Sequence, residues 1–529
     1  MFFKLLFFIT FNFYKVFFRY KKNHQLKCLD FNSFPCSQIN LKKNIENGLF
    51  RNSHFNKQIN QIKIRGNKNL IISLNSLKWL FFLSAINNYN SRKSTEYLFK
   101  KLKILDDNFS LLVWRPDIAG SRLLSFCLNI NYLKLTNILS DSRLIEQLLV
   151  VHVLYLKICK FFIPKGLLRL RINMGIFFCS FLLRELPIVR NKILKDIIKD
   201  LNFLFISGKK IRNSSDLLEI LFFINRIMKF STTSDFSNGL LDKKFKYFQN
   251  IICPLLRGLS FGNGLLVRSR ESSGFSIYCE LEKEISDADT TDFSIIKNPI
   301  GFIRIKTPKI TFFFDEKTEF KSQETKEFMC SAFSFEMTSG DIPFMQNNTS
   351  FSCYFGKSDE ILFLDNQMNT LGINIQEKNS NETLFKSKVK EVRQYRDLRN
   401  NYIEGEKEIS FNEISLSYNR KLQLPFTGKK ILGKERISLN QTSKKDYFFY
   451  IPFYFHPDVE IWKSDNSGNF LLKIKNNEIW RFETDKKNVL LENYKFLDPL
   501  DLEIKNGKRI ILFSNFDQKE QFLNWKLYL

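Results

Sequence analysis

Apolar positions in the first half of the chain recur at helical spacing. In 58–87, Ile59, Ile62 and Ile64 precede Gly66, while Leu70, Ile71, Leu74, Leu77, Leu80 and Phe81 follow it. That pattern predicts two helices joined at a Gly-Asn turn. Residues 131–162 predict two helices around Ser140-Asp141-Ser142, with Asp141 placed to cap the second. NSSDLLEILFFINRIMKF (213–230) predicts another capped helix. Just before it, in KDLNFLFISGKKIRNSSDLLEIL (199–221), Phe203 to Ile206 form a short apolar run ahead of a Ser207-Gly208 turn. That layout predicts a strand feeding the helix.

The second half has a different period. PKITFFFDEKTEF, FLLKIKNNEIWRFETDKKNVLL and LEIKNGKRIILFSNF hold short apolar runs between Asn, Asp, Gly and Lys, which predict strands, with a hairpin at Asn506-Gly507. The polar span 320–445 predicts loops or a linker. The chain therefore reads as an α+β protein: a basic helical region over 1–105, a mixed region over 106–310, a loop-rich region over 311–445 and a β-rich region over 446–529. The change of character falls within 250–320.

Charge sharpens this division. Of the 529 residues, 1–250 hold 41 Lys and Arg against 15 Asp and Glu, whereas 251–529 hold 40 against 39. AT-rich codon bias, visible in 58 Phe and only four Ala, is common to both halves and does not explain the split. A first half this basic implies a polyanionic partner, with RNA, DNA and anionic lipid as candidates. Nine scattered Cys without a CxxC pair, and four His, exclude zinc-finger spacing and suit reduced thiols. The N-terminal MFFKLLFFITFNFYKVFFRYKK is interrupted by Lys4, Asn12 and Lys15, short of the ~20 apolar residues of a spanning helix. It reads as an amphipathic or core helix, and a membrane partner is not expected.

Several segments, in order, resemble the reverse-transcriptase-like maturases of group II introns. They are the 54–87 hairpin; Asp117-Ile118-Ala119-Gly120, Asn129-Ile130 and Asp141-Ser142-Arg143-Leu144-Ile145; Pro164-Lys165-Gly166 and Leu183-Arg184-Glu185-Leu186; and Ile300-Gly301-Phe302. The resemblance implies a degenerate fingers and palm over 1–310, with Lys199-Asp200-Leu201-Asn202 in the slot of the family's paired carboxylates. Two-metal polymerisation needs carboxylates from two strands. Leu201 and Asn202 cannot supply them, so Asp117 is a vestigial metal candidate or a helix or turn cap, and whether Asp200 replaces the lost pair stays open. The expectation that follows is a non-enzymatic RNA-binding protein without cofactor, plastid-encoded and located in the stroma, that assists splicing or expression of intron or operon RNA. The second expectation is a ribosomal component or assembly factor.

Phosphate contacts would come from Lys63, Arg65, Lys68, Lys78, Arg92 and Lys93; from Lys165, Arg169 and Arg171; and from Lys192, Lys195, Lys199, Lys209, Lys210 and Arg212. Trp79, Tyr97, Trp114 and Tyr155 would stack on bases. The family's basic helical C-terminal domain has no counterpart in the neutral, strand-like 311–529.

Overall fold

The computed structural model describes residues within 75–288 and 295–529; 1–74 and internal stretches, the longest being 103–112, 269–280, 317–331, 348–367 and 375–384, lie outside the described residues. The first block is helical: α1 Leu80–Ile86, α2 Tyr89–Leu102, α3 Pro116–Leu128, α4 Ile130–Lys134, α5 Ser142–Cys159, α6 Leu167–Leu182, α7 Pro187–Phe205, α8 Ser214–Thr233, α9 Gly239–Gly258 and α10 Leu281–Asp287.

Three of these helices are buried almost all round. α3 buries every residue from Pro116 to Cys127, α6 all but Arg171 from Leu170 onward, and α8 nearly its whole length. A helix apolar on all sides must be wrapped by others. The wrapping comes from α5, α7 and α9, which keep a more exposed side carrying Lys157, Lys192, Lys195, Lys199, Lys243 and Lys244. Inner and outer helices alternate along the chain, so the inner ones run parallel and their first turns converge at one end. α3 and α6 touch through backbone: a Cβ on Gly175 would stand 2.5 Å from the Gly120 carbonyl oxygen. His152 sits neutral in this core, its pKa lowered to about 3 by burial and by Arg122, whose guanidinium lies 3.2 Å from Nε2.

The second block is an antiparallel sandwich. β1 Phe302–Lys306, β2 Ile310–Asp315, β3 Phe335–Ser339 and β4 Ile342–Met345 form one sheet. β5 Gly372–Asn374, β10 Phe448–Tyr454, β14 Val489–Leu497 and β15 Ile504–Asn515 form a second in the order β14-β15-β10-β5. A bridge between Met345 and Phe455 joins the two. Across from them lies an eight-stranded sheet, β11-β12-β13-β16-β9-β8-β7-β6, built from β6 Phe385–Arg396, β7 Asn400–Phe411, β8 Ile414–Pro425, β9 Lys430–Leu439, β11 Glu460–Ser464, β12 Asn469–Lys473, β13 Ile479–Thr484 and β16 Glu520–Tyr528. Alternation drives it: β9 buries Ile431, Glu435 and Ile437 and exposes Lys434 and Arg436. Phe335 stacks on Trp525 across the layers, and Phe344 packs on Trp480.

Buried charge holds the layers in register. Glu435 accepts from Arg420 Nε at 2.9 Å, Tyr418 Oη at 2.7 Å and Trp525 Nε1 at 2.8 Å. Arg420 NH1 donates to the carbonyls of Phe333 and Asn369, and Lys407 Nζ to that of Ala332.

The helical first half and β-rich second half match the sequence reading; several local expectations do not. Phe203–Phe205 end helix α7 rather than form a strand, and Leu201 is buried on that helix while Asn202 is exposed. Asp117 opens α3 instead of ending a strand, so no palm exists there. The span expected to be loop-rich contains β6 to β9. Asn506-Gly507 lies inside the continuous strand β15, where Gly507 makes room for the Tyr494 ring: a Cβ there would meet Tyr494 Cε1 at 2.4 Å. Trp79, Trp114 and Tyr155 are core, not stacking platforms; Tyr155 Oη donates to the Trp114 carbonyl at 2.5 Å.

Candidate functional site at the junction of helices and sandwich

The converging first turns of α3, α6 and α8 concentrate charge at one end of the helical block. Pro116 at the start of α3 fixes φ where an N–H is dispensable, and Asp117 follows in the first turn. Arg115 grips Asp117 with both arms, Nε to Oδ1 at 2.7 Å and NH2 to Oδ2 at 2.8 Å. On α8, the Asn213 side chain accepts from Ser215 N–H at 2.9 Å and caps the helix, as its sequence implied. Arg171 of α6 reaches Asp216 at 2.8 Å and Glu219 at 2.6 Å. Burial alone would lower the Arg171 pKa, but Glu219 and Asp216 raise it above its ordinary value. On the opposite side of α6, Asn173 Nδ2 donates to Asp200 of α7 at 2.8 Å, and Arg169 pairs with the same carboxylate at 3.1 Å. Burial raises the Asp200 pKa against the pull of Arg169. Asn173 is fully buried and its Oδ1 has no hydrogen-bond partner.

This end abuts the sandwich. Ser214 Oγ, at the head of α8, donates to the Val267 carbonyl at 2.8 Å. The next residue, Arg268, crosses over: its N–H donates to Glu336 at 3.1 Å, NH1 to the Asn347 carbonyl at 3.3 Å and NH2 to Gln346 Oε1 at 3.2 Å. Asn347 N–H donates to the other Glu336 oxygen at 2.8 Å. Full burial pushes Glu336 up to about 7, although Arg268 and the two backbone donors oppose this. Phe261 packs against Phe313 with ring centroids 4.8 Å apart beside this link.

The Arg268 guanidinium lies over Phe496, 4.9 Å from the ring centroid, and His456 meets the same ring edge-on at 5.3 Å. His456 Nδ1 accepts from Asp458 N–H at 3.2 Å, which places the proton of the neutral ring on Nε2. Arg509 donates to Glu492 at 2.7 Å and to Tyr454 Oη at 2.8 Å. Tyr494 donates to the Phe455 carbonyl at 2.6 Å, and burial raises its pKa while Arg268 and Arg509 lower it. The junction thus gathers Arg171, Arg268 and Arg509, each set against carboxylates, together with the buried His456 ring.

Of the basic residues singled out from sequence, only Arg169 and Arg171 take part in this constellation. Lys165 is exposed on the α5–α6 connection, and Lys192 and Lys195 lie on the outer side of α7. Arg92 donates to Asn87, and Lys93 pairs with Glu96 at 3.5 Å. Lys63, Arg65, Lys68, Lys78, Lys209, Lys210 and Arg212 lie outside the described residues. Among the described residues no cluster of three or more His, Cys, Asp or Glu could hold a metal ion, and no helix is long and apolar enough to cross a membrane. Sequence reasoning missed Asn173, Asp216, Glu219, Arg268, Glu336, His456 and Arg509. The helix-start signals Arg115-Pro116-Asp117 and Asn213-Ser214-Ser215-Asp216 could have shown which helix ends converge.

Residues 300–526 match the family model Heparinase II/III-like, C-terminal. Over the whole length, a crystal structure of heparinase III superposes with a TM-score of 0.60 at 10% identity, covering 98% of this chain and 88% of that one. A structure of heparan sulfate lyase HepC from Pedobacter heparinus gives 0.48 at 10% identity, covering 86% and 76%. Among curated proteins none matches this chain. The family match and the shared fold overturn the maturase resemblance. With it go the expected RNA and ribosomal partners, the role in splicing and the non-enzymatic reading. The physical reason is plain in the fold: α3 and α7 occupy the positions where a palm needs strands.

Proposed function

We propose that this protein is a lyase that cleaves an acidic, uronate-containing polysaccharide by β-elimination. Support comes from the heparinase-like match of the sandwich, the heparinase III fold and the net charge of the helical half. The observation that carries the assignment is the convergence of the first turns of α3, α6 and α8 on Arg171, beside the Ser214–Val267 link to the sandwich.

The reaction sets the requirements. A base removes the proton on C5, the electron pair forms a C4–C5 double bond, and the glycosidic oxygen leaves C4 and takes up a proton. The C5 proton becomes acidic only if the neighbouring carboxylate is neutralised, because negative charge builds there in the transition state. Arg171, kept charged by its carboxylate partners and with its Nε unpartnered, is the group placed to supply that neutralisation. The surrounding positive charge draws the polyanion in.

The test is incubation of the full chain with heparan sulfate, chondroitin sulfate, hyaluronan and alginate while following ultraviolet absorbance of the double bond conjugated to the carboxylate. Arg171→Leu should lower the rate by about 10²-fold on the substrate that responds, the scale of removing one transition-state donor. A hydrolase would release reducing ends without the absorbance, and that outcome would reject the elimination.

A further inference from the structure

Four of the five tryptophans, Trp79, Trp114, Trp480 and Trp525, are buried, whereas Trp462 is 46% exposed. It stands on β11, the edge of the eight-stranded sheet, where alternation sends Ile461 into the core and turns Trp462 outward. The indole forms one wall of a groove whose other sides include Pro457, Glu460, Asn506 and Lys508. Lys508 Nζ spans the groove to the Ile461 carbonyl at 3.2 Å. On the outer face, Trp462 pairs with Leu471, which pairs with the exposed Arg481, and Glu460 pairs with Lys473.

We infer that this groove is a second binding site for an acidic polysaccharide, separate from the junction, in which Trp462 stacks on a sugar ring and Lys508 and Arg481 meet its carboxylate or sulfate groups. The inference rests on the lyase reading for the identity of the polymer. A protein partner fits poorly. Stable interfaces bury about 800 Å² on each side around several apolar anchors, and on this face Trp462, Leu471 and Ile479 are interspersed with Glu460, Lys473 and Arg481. An indole set among polar side chains suits a flat amphipathic ring. Placement is compatible with the same occupant: Pro457 in the groove wall is the neighbour in sequence of His456, whose ring packs on Phe496 at the junction. The site would hold a long polymer beside the cleft and contribute little to short substrates.

Trp462 also provides its own reporter. Heparan sulfate added to the full chain should quench tryptophan fluorescence, and uncharged dextran should not. Trp462→Ala should weaken binding to a heparan sulfate gel about tenfold, the scale of one lost aromatic contact, and Trp462→Phe should restore most of it. Turnover of a short oligosaccharide should be unchanged while KM for the polymer rises. The groove is refuted if Trp462→Ala binds the gel like the parent protein, if dextran quenches as heparan sulfate does, or if single-stranded RNA alone quenches. The two readings fail separately. Loss of gel binding in Trp462→Ala without any double-bond absorbance sustains the groove and removes the reaction.

Discussion

Gly175→Ala offers a sharp test of how the inner helices are set. The added Cβ would lie 2.5 Å from the Gly120 carbonyl oxygen and 3.3 Å from its carbonyl carbon and Cα, all backbone atoms. No rotamer change can relieve such a contact, so α3 and α6 must part by the shortfall to an ordinary contact near 3.4 Å, close to 0.9 Å. Overpacking of this kind costs about 1–3 kcal/mol, and rigid backbone on both sides argues for the upper end. Helix propensity returns about 1 kcal/mol. The net expectation is a loss of about 2 kcal/mol. Gly239→Ala is the control, because a Cβ there meets nothing within 4 Å. Urea unfolding followed by helical circular dichroism reads both variants. A Gly175→Ala protein as stable as the Gly239→Ala protein would refute the close backbone crossing, and with it the placement of Arg171 and Asp117 at a common end.

Glu336 should make the junction pH-sensitive. Its folded pKa of about 7 lies above the ordinary 4.5, so the folded state holds the proton more tightly than the unfolded chain. The stabilisation is full below about 4.5 and is lost as pH rises through 7, up to about 3 kcal/mol in total. Unfolding measured from pH 4 to 8 should show this slope in the parent and not in Glu336→Gln; parallel slopes would rule the group out. Glu435→Gln would place an amide before Arg420, Tyr418 and Trp525 and leave a fully buried guanidinium without its countercharge. A loss of about 3–5 kcal/mol is expected, seen as insoluble expression. Replacing Arg420 and Glu435 together by Met should recover part of it.

Much of the architecture was legible in the chain, because it rests on periodicity. The α8 start was readable since Asn213 caps locally, and the strand-rich half since alternation is local too. The error at Phe203–Ile206 came from a window too short to separate the two periods. Ile193, Leu194, Ile197, Ile198, Leu201 and Leu204 carry the three- and four-residue steps of a helix, and all are buried. The strands β6 to β9 were hidden because their outer positions are charged and pair across strands, as Lys390 does with Glu406 and Glu408. A charged face in a solvated sheet reads like a loop when only apolar runs are sought. The basic half was read as a polyanion signal and assigned to RNA, an assignment that the family match and the fold overturn; charge alone does not distinguish phosphate from uronate or sulfate. Arg268 and Glu336 were invisible for a different reason: they are 68 residues apart and meet only through the fold.

The measurement that bears most directly on the proposed reaction is the mass of the products released from a defined uronate-containing oligosaccharide. Elimination gives two fragments whose masses sum to that of the substrate, one of them carrying the C4–C5 double bond, and this is the expected result. Fragments whose masses together exceed the substrate by one water would show hydrolysis, and an intact substrate across the polysaccharide panel would remove the catalytic reading of the junction.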